Sequence, residues 1–152
     1  MERSQWAKVG GYRMRTDLAY DSEGHMWVER LGGGRVRVGL DPLGLEINGT
    51  LAQLAMIPVG TEVQRGEPLG SLEAEKFVGP LRAPLSGVVA ATNDTVVENP
   101  GLVEQDPFGC WLVELEVLPG SVEDAELVEG PSVPGWFAEQ VQEYRDKGVL
   151  AE

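Results

Sequence analysis

The sequence predicts a mainly β domain, a flattened antiparallel sandwich or barrel with one C-terminal helix. Three observations lead there. Twenty glycines and ten prolines fall at short intervals between apolar runs, the punctuation of a chain with many tight turns. Several of those runs alternate apolar and polar residues, as strands with one buried face do. A helical spacing of apolar residues occurs only near the C-terminus. The length, 152 residues, suits one domain, which at this size buries about two-thirds of the surface its unfolded chain exposes.

Taken in order, His25 to Arg30 alternates around Trp27 and reads as a strand. Gly32-Gly33-Gly34 turns the chain into a second strand, Val36 to Leu40, giving a hairpin. Asp41-Pro42 has the form of a helix start, Asp as N-cap and Pro at the first helical position, and Gly44 keeps that helix short. Leu51 to Ile57 is apolar, reads as a buried strand and stops at Pro58. Val59 to Val63 leads to a turn at Arg65-Gly66-Glu67. Leu69 to Glu75 and Leu81 to Ala91 are extended, with Lys76 to Pro80 as the connection between them. Asn93-Asp94, Asn99-Pro100-Gly101 and Asp106-Pro107 break up the next stretch. Trp111 to Leu118 alternates and is a strand. Gly120 to Pro134 is acidic and reads as a loop or wrapping segment. From Gly135 to Lys147, Phe137, Val141 and Tyr144 fall on one helical stripe, which should pack against the domain, and Gly148 closes the helix.

Composition excludes several functions. The net charge of −13 disfavours nucleic acid, which needs clustered Lys and Arg. It suits docking onto basic protein rims, although solubility alone also explains it. There is no membrane-length apolar run and no apolar signal core, so a cytoplasmic protein is expected. One Cys and one His fall short of a zinc framework. A nucleophilic triad could draw only on His25, no nucleophile elbow is present, and Cys110 beside Trp111 reads as a small buried hydrophobe. The three-glycine run lacks the Gly-Lys-Ser/Thr of a phosphate loop.

Of three lysines, Lys8, Lys76 and Lys147, only Lys76 lies inside the expected domain. Glu73 and Glu75 beside it favour its charged form, the opposite of what a Schiff-base lysine needs. A lysine at a hairpin tip is either a solvated charge or a group offered to a modifying enzyme. The residues by themselves leave both open.

The stretch Glu73-Ala74-Glu75-Lys76-Phe77-Val78-Gly79-Pro80-Leu81-Arg82-Ala83-Pro84-Leu85-Ser86-Gly87-Val88 resembles the lipoyl-lysine hairpin of the glycine cleavage system H protein family. Glu73 stands three residues before the lysine, and Pro84-Leu85-Ser86-Gly87 begins eight after it. Val59-Gly60 and Val63-X-X-Gly66-Glu67 resemble the family's approach to the hairpin. His25-Met26-Trp27-Val28, Val38-Gly39-Leu40, Asn99-Pro100-X-Leu102-Val103, Asp106-Pro107-Phe108-Gly109 and Trp111-Leu112 match further motifs in order. One such motif would be weak, whereas an ordered series at compatible spacing is specific.

The resemblance implies a lipoyl-domain-like barrel-sandwich hybrid over residues 21–118, preceded by an extension (1–20) and followed by a wrapping segment and helix (119–152). It implies a carrier without catalysis of its own, holding lipoic acid in amide linkage on Lys76, with Glu73, Glu75 and Phe77 as flanking recognition residues. Partners implied are a lipoate ligase or lipoyl-transfer enzyme, then glycine decarboxylase, aminomethyltransferase and dihydrolipoyl dehydrogenase, with an aminomethyl group as cargo. Two alternatives stand beside it. One is a related lipoate-binding protein serving a heterodisulfide-reductase-like sulfur-oxidising complex; the other is an unlipoylated structural or regulatory β module. The family pattern has Val before and Ala after the lysine where this chain has Glu75 and Phe77, and an acidic residue where it has Met26. One residue is missing between Gly109 and Trp111. The acidic flank predicts weak or no coupling to a decarboxylase adapted to the common pattern.

Overall fold

Gly10 and Gly11, both at positive φ, turn the chain between its first two strands, β1 (Trp6–Val9) and β2 (Tyr12–Arg15). The computed structural model describes residues 5–121 and 126–150. After the first hairpin come β3 (Ala19–Asp21), β4 (Met26–Gly32), β5 (Arg35–Leu40) and the short helix α1 (Pro42–Asn48). Next are β6 (Leu51–Met56), β7 (Glu62–Val63), β8 (Pro68–Ala74), β9 (Val78–Arg82) and β10 (Gly87–Thr92). The chain closes with α2 (Asp94–Glu98), α3 (Gly101–Gln105), β11 (Val113–Val117), β12 (Leu127–Val128) and α4 (Ser132–Asp146).

All strand pairs are antiparallel. One sheet runs β12-β3-β4-β5-β11-β10-β7 and a second runs β6-β8-β9. The sandwich core gathers residues of both, among them Val38, Leu40, Leu72, Leu81 and Leu115. A second core joins the N-terminal hairpin to α4 through Met14, Tyr20, Trp27, Leu43, Phe137 and Val141. β4 is therefore covered on both faces. Met26 and Val28 point into the sandwich while Trp27 points to the helix, which is why three consecutive residues there are buried. The expected stripe on α4 packs as predicted, with Phe137 and Val141 buried and Tyr144 half-buried at its end.

Several boundaries differ from the sequence reading. The stretch broken by Asn and Pro folds as α2 and α3, because each breaker sits at a helix end rather than between loops. β6 is an edge strand. Only Leu51 and Leu54 are buried, and a bulge between Leu51 and Gln53 leaves Ala52 and Gln53 both facing out. β11 begins at Val113, and Trp111 lies outside it beneath the Arg37 guanidinium, 4.8 Å from the ring centre. Part of the expected wrapping segment pairs with β3 as β12, and α4 begins at Ser132. Residues 122–125 of that segment lie outside the described residues, as do residues 1–4 of the expected extension.

Candidate functional site

The hairpin β8–β9 places Lys76 in its turn. Glu73 pairs with Val78, and the Ala74 N–H donates to the Phe77 carbonyl at 2.8 Å. The connection is thus Glu75-Lys76-Phe77, shorter than the 76–80 connection read from the sequence. Val78 to Pro80 already belong to β9, an edge strand of its sheet, where proline's missing N–H is tolerated. The turn is fixed from outside. The Glu75 N–H donates to the Thr50 carbonyl (2.9 Å) and the Lys76 N–H to the Asn48 carbonyl (2.8 Å). Those carbonyls belong to the last residue of α1 and to the loop that follows it. That helix is capped by the Asp41 carboxylate, which accepts from the Gly44 N–H at 2.8 Å.

Gly49 in that loop has φ 78° and ψ −162°, a conformation close to glycine-only territory. A Cβ there would also lie 2.6 Å from Glu75 Oε1. Gly49→Ala is therefore expected to cost about 1–3 kcal/mol and to unseat the two carbonyls under the turn. Faster amide exchange at Glu75 and Lys76, with β11 amides unchanged, is the expected signature.

Lys76 is exposed and makes no ion pair among the described residues. It lines a groove of about 440 Å³ with Glu75, Glu46, Glu104 and Tyr12. Glu104 is held in place by the Leu51 N–H at 2.7 Å. Phe77 turns its ring over Gly79, where a Cβ would meet ring carbon Cζ at 2.7 Å, and lines a second groove of about 470 Å³ with Asp21, Arg65 and Arg82. Glu73 is exposed on the outer face of the small sheet, near Gln53 and Val97. Lys76 and Glu75 thus share one groove, Phe77 borders another, and Glu73 stands apart from both. The supporting loop 48–50 escaped the sequence reading, although an Asn-Gly pair at a helix end is itself a turn signal.

A buried pair also escaped it. His25, at φ 52°, places Nδ1 3.1 Å from Asp41 Oδ2, stacks on Trp136 of α4 (5.8 Å, 21°) and meets the edge of Tyr144 (5.7 Å). Asp41 accepts only, so Nδ1 carries the proton. The pair ties α4 to the cap of α1, and so to the loop beneath Lys76. Burial opposes the charge on His25, but the hydrogen bond and charge of Asp41, reinforced by Gln140 and Asp21, hold its pKa above the ordinary value. His25 Nε2 is buried and has no hydrogen-bond partner among the described residues, so the Asp41 contact at Nδ1 is the bond that holds the proton.

The protonated form therefore stabilises the fold. That contribution is complete below the ordinary pKa of about 6.5 and is lost as pH rises through the raised folded value. The stability advantage of the wild type over His25→Asn should shrink as pH climbs from about 6.5. Urea midpoints measured across that range check it; an advantage that grows with pH would refute it.

Cys110 is half-buried, and its thiol donates to the Leu102 carbonyl at 3.4 Å. Burial and then Asp106 push its pKa up, which is contrary to a nucleophile. Among the described residues no cluster of His, Cys, Asp or Glu is arranged to hold a metal, and no helix is long and apolar enough to cross a membrane.

Residues 18–134 match the family model described as glycine cleavage H-protein. The glycine cleavage system H protein of Corynebacterium jeikeium is 39% identical over 118 residues, covering 75% of this chain and 89% of the relative. Glycine cleavage system H protein 3 of Aquifex aeolicus is 38% identical over 101 residues, covering 66% of this chain; the chain spans 63% of that relative's length. The crystal structure of a glycine cleavage system H protein from Mycobacterium marinum superposes with a TM-score of 0.67 at 28% identity, covering 90% of this chain and all of that one.

Proposed function

Because the chain belongs to the glycine cleavage H-protein family, we propose that it is a non-catalytic carrier of lipoic acid on Lys76, exchanging an aminomethyl group with the glycine cleavage enzymes in the cytoplasm. One observation carries the reading. Within the matched span, Lys76 stands exposed in a turn whose backbone is tied down at both Glu75 and Lys76.

The residues fit the group. Nζ is accessible to a ligase or transfer enzyme, while the backbone beneath it is fixed, so a modifying active site meets a defined shape at little ordering cost. Acylation turns the ammonium into a neutral amide. The groove holding Glu46, Glu75 and Glu104 then loses its cation and becomes more acidic. Attached at Lys76, a lipoyl group would supply a dithiolane sulfur able to take up and release a carried group. The chain itself anchors the arm's root and, by tethering, raises the concentration of the arm at a docked enzyme. The relatives from Corynebacterium jeikeium and Aquifex aeolicus bear glycine cleavage names, and no observation in the site favours the sulfur-oxidising alternative or an unlipoylated module.

Glycine–bicarbonate exchange with the lipoylated protein and its own decarboxylase tests the reading: exchange is expected, and its absence would overturn it. A decarboxylase adapted to valine before the lysine must instead desolvate Glu75 on docking. With such an enzyme exchange should be weak, and Glu75→Val should raise it by about tenfold, the equivalent of about 1.4 kcal/mol. Equal rates for both proteins would remove Glu75 as a specificity determinant.

A further inference from the structure

β1 and β2 pair Trp6 with Arg15 and Lys8 with Arg13, so these four side chains share the outward face of the N-terminal hairpin. The inward face buries Val9 and Met14 against α4. The Arg13 guanidinium lies 4.2 Å above the Trp6 ring, and Phe108 meets that ring edge-on at 5.5 Å. Lys8 and Arg13 are exposed and form no ion pair among the described residues; Arg15 is held by Asp17. On a chain with 25 acidic and 12 basic residues, this is a local positive, aromatic patch set against the overall field.

Its position matters as much as its charge. Tyr12, on the same hairpin, lines the acidic groove with Glu75 and Lys76, as does Pro107, the neighbour of Phe108. The patch thus borders the side of the molecule where the arm is rooted. The hairpin also precedes residue 18, where the match to the family begins.

We propose that Trp6, Lys8, Arg13 and Phe108 form a docking surface for an acidic rim at the active-site entrance of an enzyme that works on the Lys76 arm; this rests on the carrier reading above. Charge complementarity selects the occupant. On a chain at −13 an acidic rim is drawn only to places where unpaired cations gather, and Lys8 with Arg13 form such a place at this edge. Trp and Arg are the residue types that most often anchor protein interfaces. The acidic groove beyond Tyr12 supplies the opposite sign, and two patches of opposite sign side by side allow one docking orientation. Nucleic acid fits poorly, because so few cations on so acidic a chain cannot neutralise a run of phosphates.

The test uses the full-length lipoylated protein as substrate for the decarboxylase, aminomethyltransferase and dihydrolipoyl dehydrogenase of its own host, with KM and kcat measured from low to physiological salt. With at least one enzyme, the double variant Lys8→Glu/Arg13→Glu should raise KM by about tenfold at low salt, leave kcat unchanged and flatten the salt dependence. Trp6→Ala should raise KM by a similar factor. The neutral pair Lys8→Gln/Arg13→Gln should fall between, which guards against a folding defect caused by introduced acid. Unchanged KM and salt dependence with all three enzymes would overturn the docking surface while leaving the carrier reading intact. Salt-sensitive binding to DNA or anionic vesicles, lost in the double variant with every KM unchanged, would overturn it too. A wild-type protein that none of the three enzymes uses would overturn both.

Discussion

Lys76→Arg is expected to abolish carriage completely and leave the fold intact. The side chain is exposed and makes no ion pair among the described residues, and the turn is held by backbone bonds to Asn48 and Thr50 that do not involve it. Arginine keeps the positive charge beside Glu75 and Glu46, so the electrostatics of the groove are preserved. A guanidinium stays protonated and delocalised and is no substrate for amide formation by a lipoate-attaching enzyme. The expected result is a thermal midpoint within about 2 °C of wild type, the range of a neutral surface change, no lipoate by intact mass and no measurable exchange. Lipoylation of the variant at Lys8 or Lys147 with activity retained would show that the arm's position is not set by this turn.

Gly39→Ala is expected to destabilise the fold strongly. A Cβ at Gly39 would lie 2.3 Å from Trp27 Cζ2 and 2.4 Å from Cε2. The indole cannot move aside cheaply. It is 2% exposed, packs in the core beneath α4, and donates from Nε1 to the Pro107 carbonyl at 3.0 Å. Overpacking of this kind costs about 1–3 kcal/mol and more where the neighbour is held. If the indole swings out, its N–H loses a partner and the loop carrying Phe108 loses its tether. A lowered denaturant midpoint together with increased exposure of Trp27 fluorescence is expected; a wild-type midpoint would mean the core yields more than its packing suggests.

Both effects bear on what could be read before any fold was known. Gly39 and Trp27 were visible as members of two separate motifs. That they occlude one another depends on the β4–β5 register, which pairs Trp27 directly with Gly39. Lys76 was legible because a hairpin tip is a local feature, bounded by alternating strands and a Gly-Pro pair. The support beneath it was not, since it comes from Asn48 and Thr50, more than twenty-five residues away and brought close only by pairing of β6 with β8. His25 read as the first residue of a strand. Its left-handed backbone and its stacking on Trp136, more than a hundred residues on, follow from how α4 closes over β4, which no local periodicity encodes. The short helices α2 and α3 were missed because five residues are too few to establish a period. The N-terminal segment read as an extension because its alternation is only four residues per strand; the pairing of Lys8 with Arg13 becomes apparent only across the Gly10-Gly11 turn.

A carrier of this kind holds its lipoic acid on one lysine. Peptide mass spectrometry of the protein purified from its native host tests it most directly, because it needs no assumption about partners or pathway. A lipoyl amide is expected on the peptide containing Lys76, with Lys8 and Lys147 unmodified. A Lys76 that is unmodified throughout, or a lipoyl group found instead on Lys8 or Lys147, would contradict it.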